Sequence, residues 1–516
     1  MRRFTATLAV LSSALLSGGA ARAQFGRGSG EWNTNGGDAH RSFWVPTDQK
    51  ISRATLSKPG FTSTWKVKLD NTARQGNALT PSLVMTGYIG YRGFRSLGFL
   101  SGSSDKIYGI EIDVGRVEWQ KSIPGLAASA GTAACPGGIT SNVARPVQTA
   151  FPTLAAQGGR GGGGRANAAK SDVGAPNDGA PILKQIEQMQ AAAAARRGAN
   201  AAAAPGGPGR GGRAPGERPR RMPNYVYALG ADGMLHGMYV SNGEEPEPAI
   251  KFLAPNANAE GLMIVDNVAY AVTNGGCGNV PDGVWALDLE SKKVSSYPAK
   301  TAGSTGIAFG GDGALYLTTT GGDLVALEPK TLKVKDVYGA KQEFATSPIV
   351  FQYKDKALVA AATKDGNLHV LDTASLKAPL SAPAPASAIG GALSSWQDTD
   401  GSRWLLVPTS SAVAAWKITD QNGSISLQKG WVSRDITSPI TPIVVNGVVF
   451  AASSGQRNSP AVLYALDGAT GKELWNSGKT ITSFVPHNGG LSGGGTQVFL
   501  GTHDGTLYAF GFPVEH

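Results

Sequence analysis

Cysteine and histidine are the side chains with the most specific chemistry in this sequence, and both are scarce. The 516-residue chain contains two cysteines and six histidines. The histidines are His40, His236, His369, His487, His503 and His516. No two of them have the spacing of metal ligands. We therefore expect ordinary hydrogen bonds for most of them and assign no catalytic residue and no metal ligand.

The two cysteines predict a disulfide. An even pair of cysteines in an oxidising compartment usually forms one. Cys135 and Cys277 lie in short glycine-containing stretches of two successive repeats. Two separate thiols are the alternative, but neither residue is flanked by a His or Lys that would favour a reactive thiolate. We expect the bond to join neighbouring repeats.

The elements that position these residues recur along the chain. A short hydrophobic strand ending in an Ala-Leu-Asp-like step appears at Tyr108–Glu111, His236–Met238, Trp285–Asp288, Val325–Glu328, His369–Asp372, Ala414–Trp416, Tyr464–Asp467 and Tyr508–Phe510. From the second step onward, the middle residues of consecutive steps are 40 to 50 positions apart. The first spacing, 128, falls to about 60 once a Gly/Ala/Arg-rich stretch is removed. This is the period of a four-stranded propeller blade.

The turns and the last repeat complete the prediction of the fold. Asn446-Gly447 and Asp365-Gly366 tolerate the positive φ of tight hairpins between strands. The last repeat ends with its third strand, and Phe61–Leu69 supplies an unassigned strand near the N-terminus. Pairing the two removes an open edge. We predict an all-β, eight-bladed β-propeller of four-stranded antiparallel blades, with the ring closed by an N-terminal strand.

Innermost strands of a propeller line its central funnel, so polar residues next to them are candidates for a binding site. His487 and Asn488 precede the innermost strand of the last repeat. The residues that we place at the same level are Arg145, Thr346, Ser347, Ser438 and Thr441. Converging polar groups of this kind can bind a small ligand. The alternative is that they line a water-filled channel.

The N-terminus has the three parts of a secretory signal peptide. Met1-Arg2-Arg3 is followed by the short apolar stretch Leu8–Leu16 and then by a cleavage-site pattern of small residues at Ala21–Ala23. We predict a signal peptide over 1–23, cleaved after Ala23, and a periplasmic or secreted protein. Residues 24–59 then form an N-terminal extension and 60–513 the propeller. No later apolar run is long enough to predict a transmembrane segment.

A Gly/Ala/Arg-rich stretch over 155–221 interrupts the second repeat. Its composition cannot bury enough apolar surface to offset the entropy of ordering, so we predict a disordered insertion within blade 2. The insertion carries nine Arg and two Lys against four acidic residues, and the signal peptide adds three Arg. These segments account for the whole net charge of +10. The folded body is close to neutral, which argues against a nucleic-acid partner.

Three segments carry a resemblance to a known family. Leu463–Trp475 and Glu111–Trp119 resemble the pyrroloquinoline-quinone (PQQ)-type repeat, with a Thr-Gly-Lys turn in the first. Glu31–Asp38 resembles the opening segment of quinoprotein dehydrogenases. The resemblance implies a propeller whose repeat tryptophans pack against the neighbouring blade. It is specific for the fold, because the same repeat builds quinoprotein dehydrogenases and scaffolds without catalytic activity.

The resemblance leaves two functions open. A quinoprotein dehydrogenase often uses a vicinal cysteine pair and binds PQQ with calcium, but this chain has only Cys135 and Cys277. A Cys-x-x-Cys-His haem motif is also missing from the sequence. We therefore expect a binding or assembly platform, whose partner is an envelope or secreted protein or a small-molecule ligand in the funnel. A PQQ-dependent dehydrogenase of alcohols or sugars is the alternative.

Overall fold

A computed structural model describes residues 31–90, 93–124, 131–154, 224–380, 384–385, 390–421 and 424–513. The predicted signal peptide and the insertion over 155–221 lie outside the described residues. Before the first blade, the chain forms β1 (Trp44–Val45), α1 (Arg53–Leu56) and β2 (Thr62–Lys68). Ser52 caps α1 by accepting a hydrogen bond from the Thr55 amide. Across the described ranges no helix has the length and apolar character needed to cross a membrane.

The first four blades follow one another in sequence. Blade 1 consists of β3 (Leu83–Gly90), β4 (Gly93–Gly102), β5 (Lys106–Glu111) and β6 (Arg116–Ser122). Blade 2 consists of β7 (Tyr225–Leu229), β8 (Met234–Tyr239) and β9 (Ile250–Lys251), with Ala144 bridged to β7 on the inner side. Blade 3 consists of β10 (Ala259–Val265), β11 (Val268–Thr273), β12 (Gly283–Asp288) and β13 (Val294–Pro298), with a 3-10 turn at Cys277–Asn279. Blade 4 consists of β14 (Ala308–Phe309), β15 (Leu315–Thr318), β16 (Asp323–Leu327) and β17 (Val334–Gly339).

The remaining blades keep the same order of strands. After β18 (Thr346–Ser347), blade 5 consists of β19 (Ile349–Tyr353), β20 (Lys356–Ala362), β21 (Asn367–Asp372) and β22 (Ala384–Pro385). After β23 (Gly391–Ala392), blade 6 consists of β24 (Ser394–Gln397), β25 (Arg403–Pro408), β26 (Val413–Gln421) and β27 (Ser424–Val432). Blade 7 consists of β28 (Ile443–Val445), β29 (Val448–Ala452), β30 (Leu463–Asp467) and β31 (Glu473–Asn476). Blade 8 consists of β32 (Leu491–Gly494), β33 (Gln497–Gly501) and β34 (Thr506–Gly511).

The N-terminal strand closes the ring. Strand β2 pairs antiparallel with β34, with Val67 opposite Leu507, and forms the outer strand of blade 8. The predicted eight-bladed fold and its closure are confirmed. The edge of β34 is therefore paired, and β2 takes the outer position that the fourth strand takes in other blades.

Tryptophans of the outer strands join neighbouring blades. Each indole N–H donates to a main-chain carbonyl of the next blade, in the turn between that blade's third and fourth strands. The ring of each tryptophan covers a glycine of the same turn, and the φ of that glycine lies between +71° and +72°. Trp65 donates to Ile112 and covers Gly115, Trp119 donates to Val240 and covers Gly243, and Trp431 donates to Gly468 and covers Gly471. Only a residue without Cβ leaves room for the ring there. The contact between two blades therefore requires both the tryptophan and the turn glycine.

Residues 32–45 wind once around the inside of the ring. Trp32 exchanges two main-chain hydrogen bonds with Val84 of blade 1, and the Ala39 carbonyl accepts from Phe309 of blade 4. The segment then meets blades 5 and 6 through His40 and Ser42 and ends as β1, which pairs in parallel with β28 of blade 7. We expected only an extension in this region. The segment instead satisfies main-chain groups along the inner edges of the blades.

Candidate functional site

A cavity of about 1110 Å³ opens on one face of the propeller at its centre. Its wall is built from segments that precede the innermost strands, such as residues 75–77 before β3 and residues 484–490 before β32. Turns between second and third strands complete it, and in blade 3 the turn contributes Asn274, Gly275 and Asp282. Both kinds of segment lie at the same end of their blades. This end of the ring therefore forms a funnel.

The winding N-terminal segment forms the floor of the funnel. Asn35 and Phe43 line the cavity from below. The fully buried Arg41 supports them by donating to the carbonyl oxygens of Ile307 (3.0 Å) and Gly261 (2.7 Å). Burial lowers the pKa of Arg41 to about 9, and the nearby Asp38 carboxylate opposes this shift. Arg41 therefore ties the segment to blades 3 and 4.

Among the titratable groups of the described cavity wall, Glu260 has the pKa that differs most from its ordinary value. It lies at the start of β10, and its carboxylate accepts a hydrogen bond from the Asn274 amide at 3.5 Å. Thr301 in turn donates to Asn274 Oδ1 at 3.0 Å. Burial raises the pKa of Glu260 to about 7, and the bond from Asn274 opposes the shift only in part. Glu260 is therefore poised to exchange a proton near neutral pH.

Several buried polar atoms of the funnel lack a hydrogen-bond partner within the described part of the chain. They are Asn77 Oδ1, Asn142 Oδ1, Thr305 Oγ1 and Asn488 Nδ2. Asn77, Thr305 and Asn488 line the main cavity, and Asn142 lines an annex of about 30 Å³ that also touches Glu260. Leaving such atoms unpaired is costly, about 1–3 kcal/mol each. The atoms are enclosed by protein, so a molecule in the funnel can reach them only after side chains of the wall move.

A disulfide lies at the rim of the funnel. Cys135 and Cys277 are bonded, with their Cα atoms 5.6 Å apart. The bond joins the segment that precedes blade 2 to the turn between β11 and β12 of blade 3. Ala134 beside it lines the cavity, and its carbonyl accepts a hydrogen bond from the Asn258 side chain at 3.1 Å. The rim at blades 2 and 3 is therefore held covalently.

The structure brings three of the seven predicted funnel residues to the cavity. Thr441, His487 and Asn488 line it. Thr346 and Ser347 lie at the same level but are fully buried. Their hydroxyl oxygens accept hydrogen bonds from the main-chain amides of Ala362 (2.9 Å) and Thr305 (3.1 Å). Since these buried hydroxyls are already bonded to main-chain amides, they are not available to a ligand.

Arg145 and Ser438 also lie outside the cavity wall. Arg145 is largely buried, donates to Asn33 Oδ1 at 2.9 Å and lies 3.8 Å from the Glu31 carboxylate, which places it against the N-terminal segment. Ser438 is exposed in the loop before β28. Sequence reasoning missed Glu260, Asn77 and Asn142. The only signal for Glu260 in the sequence was an acidic residue at the start of an otherwise apolar innermost strand.

The wall does not fit PQQ with calcium. Across the described residues, no three His, Cys, Asp or Glu side chains lie close enough together to hold a metal ion. PQQ is a polyanionic quinone, whereas the charged side chains that face this cavity are Glu260, Asp282 and Lys300, together with the titratable His487. Since Lys300 is the one ammonium group among the described wall residues, the cavity has little positive charge to balance such a ligand. We derive no redox step from this site.

Comparisons with known proteins agree with the fold. Residues 281–511 match the family described as outer membrane protein assembly factor BamB. The solved structure of a quinohemoprotein alcohol dehydrogenase from Comamonas testosteroni matches with a TM-score of 0.56 at 13% identity, over 94% of this chain and 81% of that one. A europium-containing methanol dehydrogenase matches with a TM-score of 0.53 at 11% identity, over 94% and 99%. BamB from Moraxella catarrhalis gives 0.48 at 12% identity, over 88% and 99%. A comparison with curated protein sequences finds no match.

Proposed function

Because this chain is a β-propeller built from PQQ-type repeats, we propose that it is an exported binding platform of the cell envelope that works without redox catalysis. The observation that carries the proposal is the composition of the funnel wall. Amides and hydroxyls make up most of its polar side chains, and across the described residues its carboxylates belong to no group of three His, Cys, Asp or Glu side chains that could hold a metal ion. Such a wall suits recognition of a ligand. The predicted signal peptide supports a periplasmic or secreted location.

The partner on the outer surface is proposed to be an envelope or secreted protein. The matching family is described as an outer membrane protein assembly factor, and the match includes blades 4 to 8. Outer strands offer apolar contact points, since Val294, Val334, Val337 and Val432 are 41 to 51% exposed. These valines lie on blades 3, 4 and 6. Exposed apolar side chains on strand surfaces are suited to protein contacts.

The test is a titration of the purified full chain with PQQ and Ca²⁺. Absorbance and fluorescence report binding, and dye reduction in the presence of alcohols and sugars reports catalysis. We expect no stoichiometric binding at micromolar quinone and no substrate-dependent dye reduction. Tight stoichiometric binding with dye reduction would overturn the proposal and place the funnel residues at a redox site.

The second candidate function is a PQQ-dependent dehydrogenase of alcohols or sugars. The specific observation in its favour is Glu260, a carboxyl group with a pKa near 7 and a hydrogen bond from Asn274 inside the funnel. A general base that takes a proton from an alcohol works best with a pKa near the working pH. The same titration decides between the two functions, because only the dehydrogenase requires bound quinone.

A further inference from the structure

We propose that His236 is a pH-sensitive clip, which holds an outer segment of blade 2 in acidic solution and releases it when the imidazole loses its proton. The segment consists of residues 240–249, between β8 and the short strand β9, and is called the blade 2 strap below. This inference goes beyond the proposed function and does not depend on it. The partners of His236, the attachment of the strap and a comparison with blade 5 support it.

The buried imidazole of His236 lies between two carboxylates. The side chain is 4% exposed, its Nδ1 lies 3.2 Å from Glu245 Oε2, and its Nε2 lies 3.1 Å from Asp232 Oδ2. An ionised carboxylate only accepts hydrogen bonds. A neutral imidazole donates from one nitrogen, whereas an imidazolium donates from both. Both hydrogen bonds therefore exist together only when His236 is charged.

Of the two carboxylates, Glu245 is the one that can move away. Asp232 lies in the turn between β7 and β8, four residues before His236, and its Oδ1 accepts a hydrogen bond from the Met234 amide at 3.0 Å. Glu245 lies in the strap instead, and its side chain is 20% exposed. A ring that has lost one proton keeps one donor, which the fixed Asp232 retains. Loss of the proton therefore weakens the hold on the strap.

The main chain of the strap is attached only at its ends. The Glu244 carbonyl accepts a hydrogen bond from the Tyr239 amide at 2.9 Å, and β9 pairs with the start of β8 beyond the other end. Between these points, residues 245–249 make no main-chain hydrogen bond with the described part of the chain. Two of these five residues are prolines, which have no N–H to donate. The middle of the strap therefore depends on the side chain of Glu245 for its polar attachment.

The other charged groups nearby act on the two carboxylates and not on the imidazole. Lys121 Nζ, on β6, lies 3.5 Å from Glu245 Oε1. Lysine side chains keep their charge over the range in which histidine titrates, so this attraction is the same throughout that range. On the blade 1 side, burial raises the pKa of Asp105, the Arg74 guanidinium opposes this shift, and the Asp232 carboxylate adds to it. Asp105 thus interacts with the carboxylate that stays in place.

Blade 5 contains a histidine at the same strand position without the carboxylates. His369 is the third residue of β21, as His236 is the third residue of β8, and it is also 4% exposed. Its ring nitrogens face hydroxyl groups, namely Tyr338 Oη at 3.1 Å and Thr363 Oγ1 at 3.3 Å. A hydroxyl can donate or accept, so a neutral ring satisfies both contacts. Burial lowers the pKa of His369, and the Asp365 carboxylate opposes the shift. Of these two histidines, His236 has the partners of a charged ring.

The test is hydrogen exchange of the purified full chain, followed by mass spectrometry at about pH 5.5 and about pH 8.5, on either side of the range in which histidine titrates. After correction for the intrinsic effect of pH on exchange, we expect the protection of strap peptides to fall by about tenfold at the higher pH, because one hydrogen bond to a charged group is lost. His236→Gln cannot gain the charge, so its strap should be equally protected at both pH values. The matched control His369→Gln should keep the pH dependence of the strap.

A second variant keeps the proposal testable if His236→Gln does not fold. Glu245→Gln changes a half-buried residue of the strap and leaves the imidazole in place, and the difference in strap protection between the two pH values should shrink to about twofold or less. Circular dichroism establishes that each variant is folded. Strap protection that is the same at both pH values in the unmodified protein overturns the clip. The full pH dependence in a folded His236→Gln or Glu245→Gln variant overturns it as well.

Discussion

At the scale of single residues, Glu260 shows how position changes the chemistry of an ordinary carboxyl group. The side chain faces the funnel but is only partly exposed, so its ionised form loses hydration. One long hydrogen bond from Asn274 compensates only in part. The folded state therefore keeps a proton on Glu260 up to about pH 7, whereas the unfolded chain releases it near the ordinary value of 4.5.

This difference predicts how stability depends on pH. Between pH 4.5 and 7 the folded state binds more protons at Glu260 than the unfolded state, so this residue lowers the free energy of unfolding as pH rises through that range. Glu260→Gln has no such proton to lose. We expect the variant to be about 1–3 kcal/mol more stable than the parent at pH 8, with a smaller difference at pH 4.5, by urea unfolding.

The control for this measurement is Glu244→Gln, which changes an exposed carboxylate away from the funnel. It should not reproduce the pH-dependent gain. If Glu260→Gln shows the same difference from the parent at both pH values, Glu260 does not carry the proton in the folded state.

At the scale of elements, the contact between an outer-strand tryptophan and a turn glycine connects one blade to the next. In blade 7 the turn places Gly471 at φ +72°, directly beneath the Trp431 ring of blade 6. A Cβ at this position would lie 2.4 Å from the ring. The indole N–H also donates to the Gly468 carbonyl at 2.9 Å, so the ring has little freedom to move away.

Gly471→Ala should therefore destabilise the propeller in two ways. The left-handed backbone costs an alanine about 1 kcal/mol, and displacing the Trp431 ring adds about 1–3 kcal/mol. The matched control is Gly478→Ala, where φ is +53° and no atom lies within 4 Å of the added Cβ. We expect the control to lose about 1 kcal/mol and Gly471→Ala clearly more, by urea unfolding followed through tryptophan fluorescence. Equal losses would show that the ring adapts without cost.

At the scale of the whole molecule, closure of the ring depends on one short strand far from the end of the chain. Strand β2 supplies the outer strand of blade 8, and Trp65 within it also donates to Ile112 of blade 1. The same seven residues therefore complete one sheet and join it to the next blade. Without this pairing, β34 would present an open edge.

Val67→Pro tests this closure, because proline lacks an N–H and does not fit a paired strand. We expect a loss of about 3 kcal/mol or more and a tendency to self-associate, measured by urea unfolding and light scattering. Lys66→Ala, at an exposed position of the same strand, should leave both properties nearly unchanged. A monomeric Val67→Pro variant with the parent's unfolding midpoint would refute the role of β2.

The sequence alone determined the class of fold, the number of blades and the closing strand. Each of these depends on local patterns, namely the period of the Ala-Leu-Asp steps, the Asn-Gly and Asp-Gly turns and the unassigned strand at 61–69. The position of the candidate site was also partly predictable, since Thr441, His487 and Asn488 precede innermost strands and do line the funnel.

Only the tertiary structure decided which polar groups a ligand can reach. Successive side chains on a strand point in opposite directions, so neighbours in sequence have different surroundings. The hydroxyl oxygens of Thr346 and Ser347 already accept hydrogen bonds from main-chain amides, whereas Glu260 faces the cavity. The N-terminal segment forms the floor through contacts with blades that are hundreds of residues away in sequence. Such contacts leave no periodic signal, because they depend on where the closed ring places its inner strands.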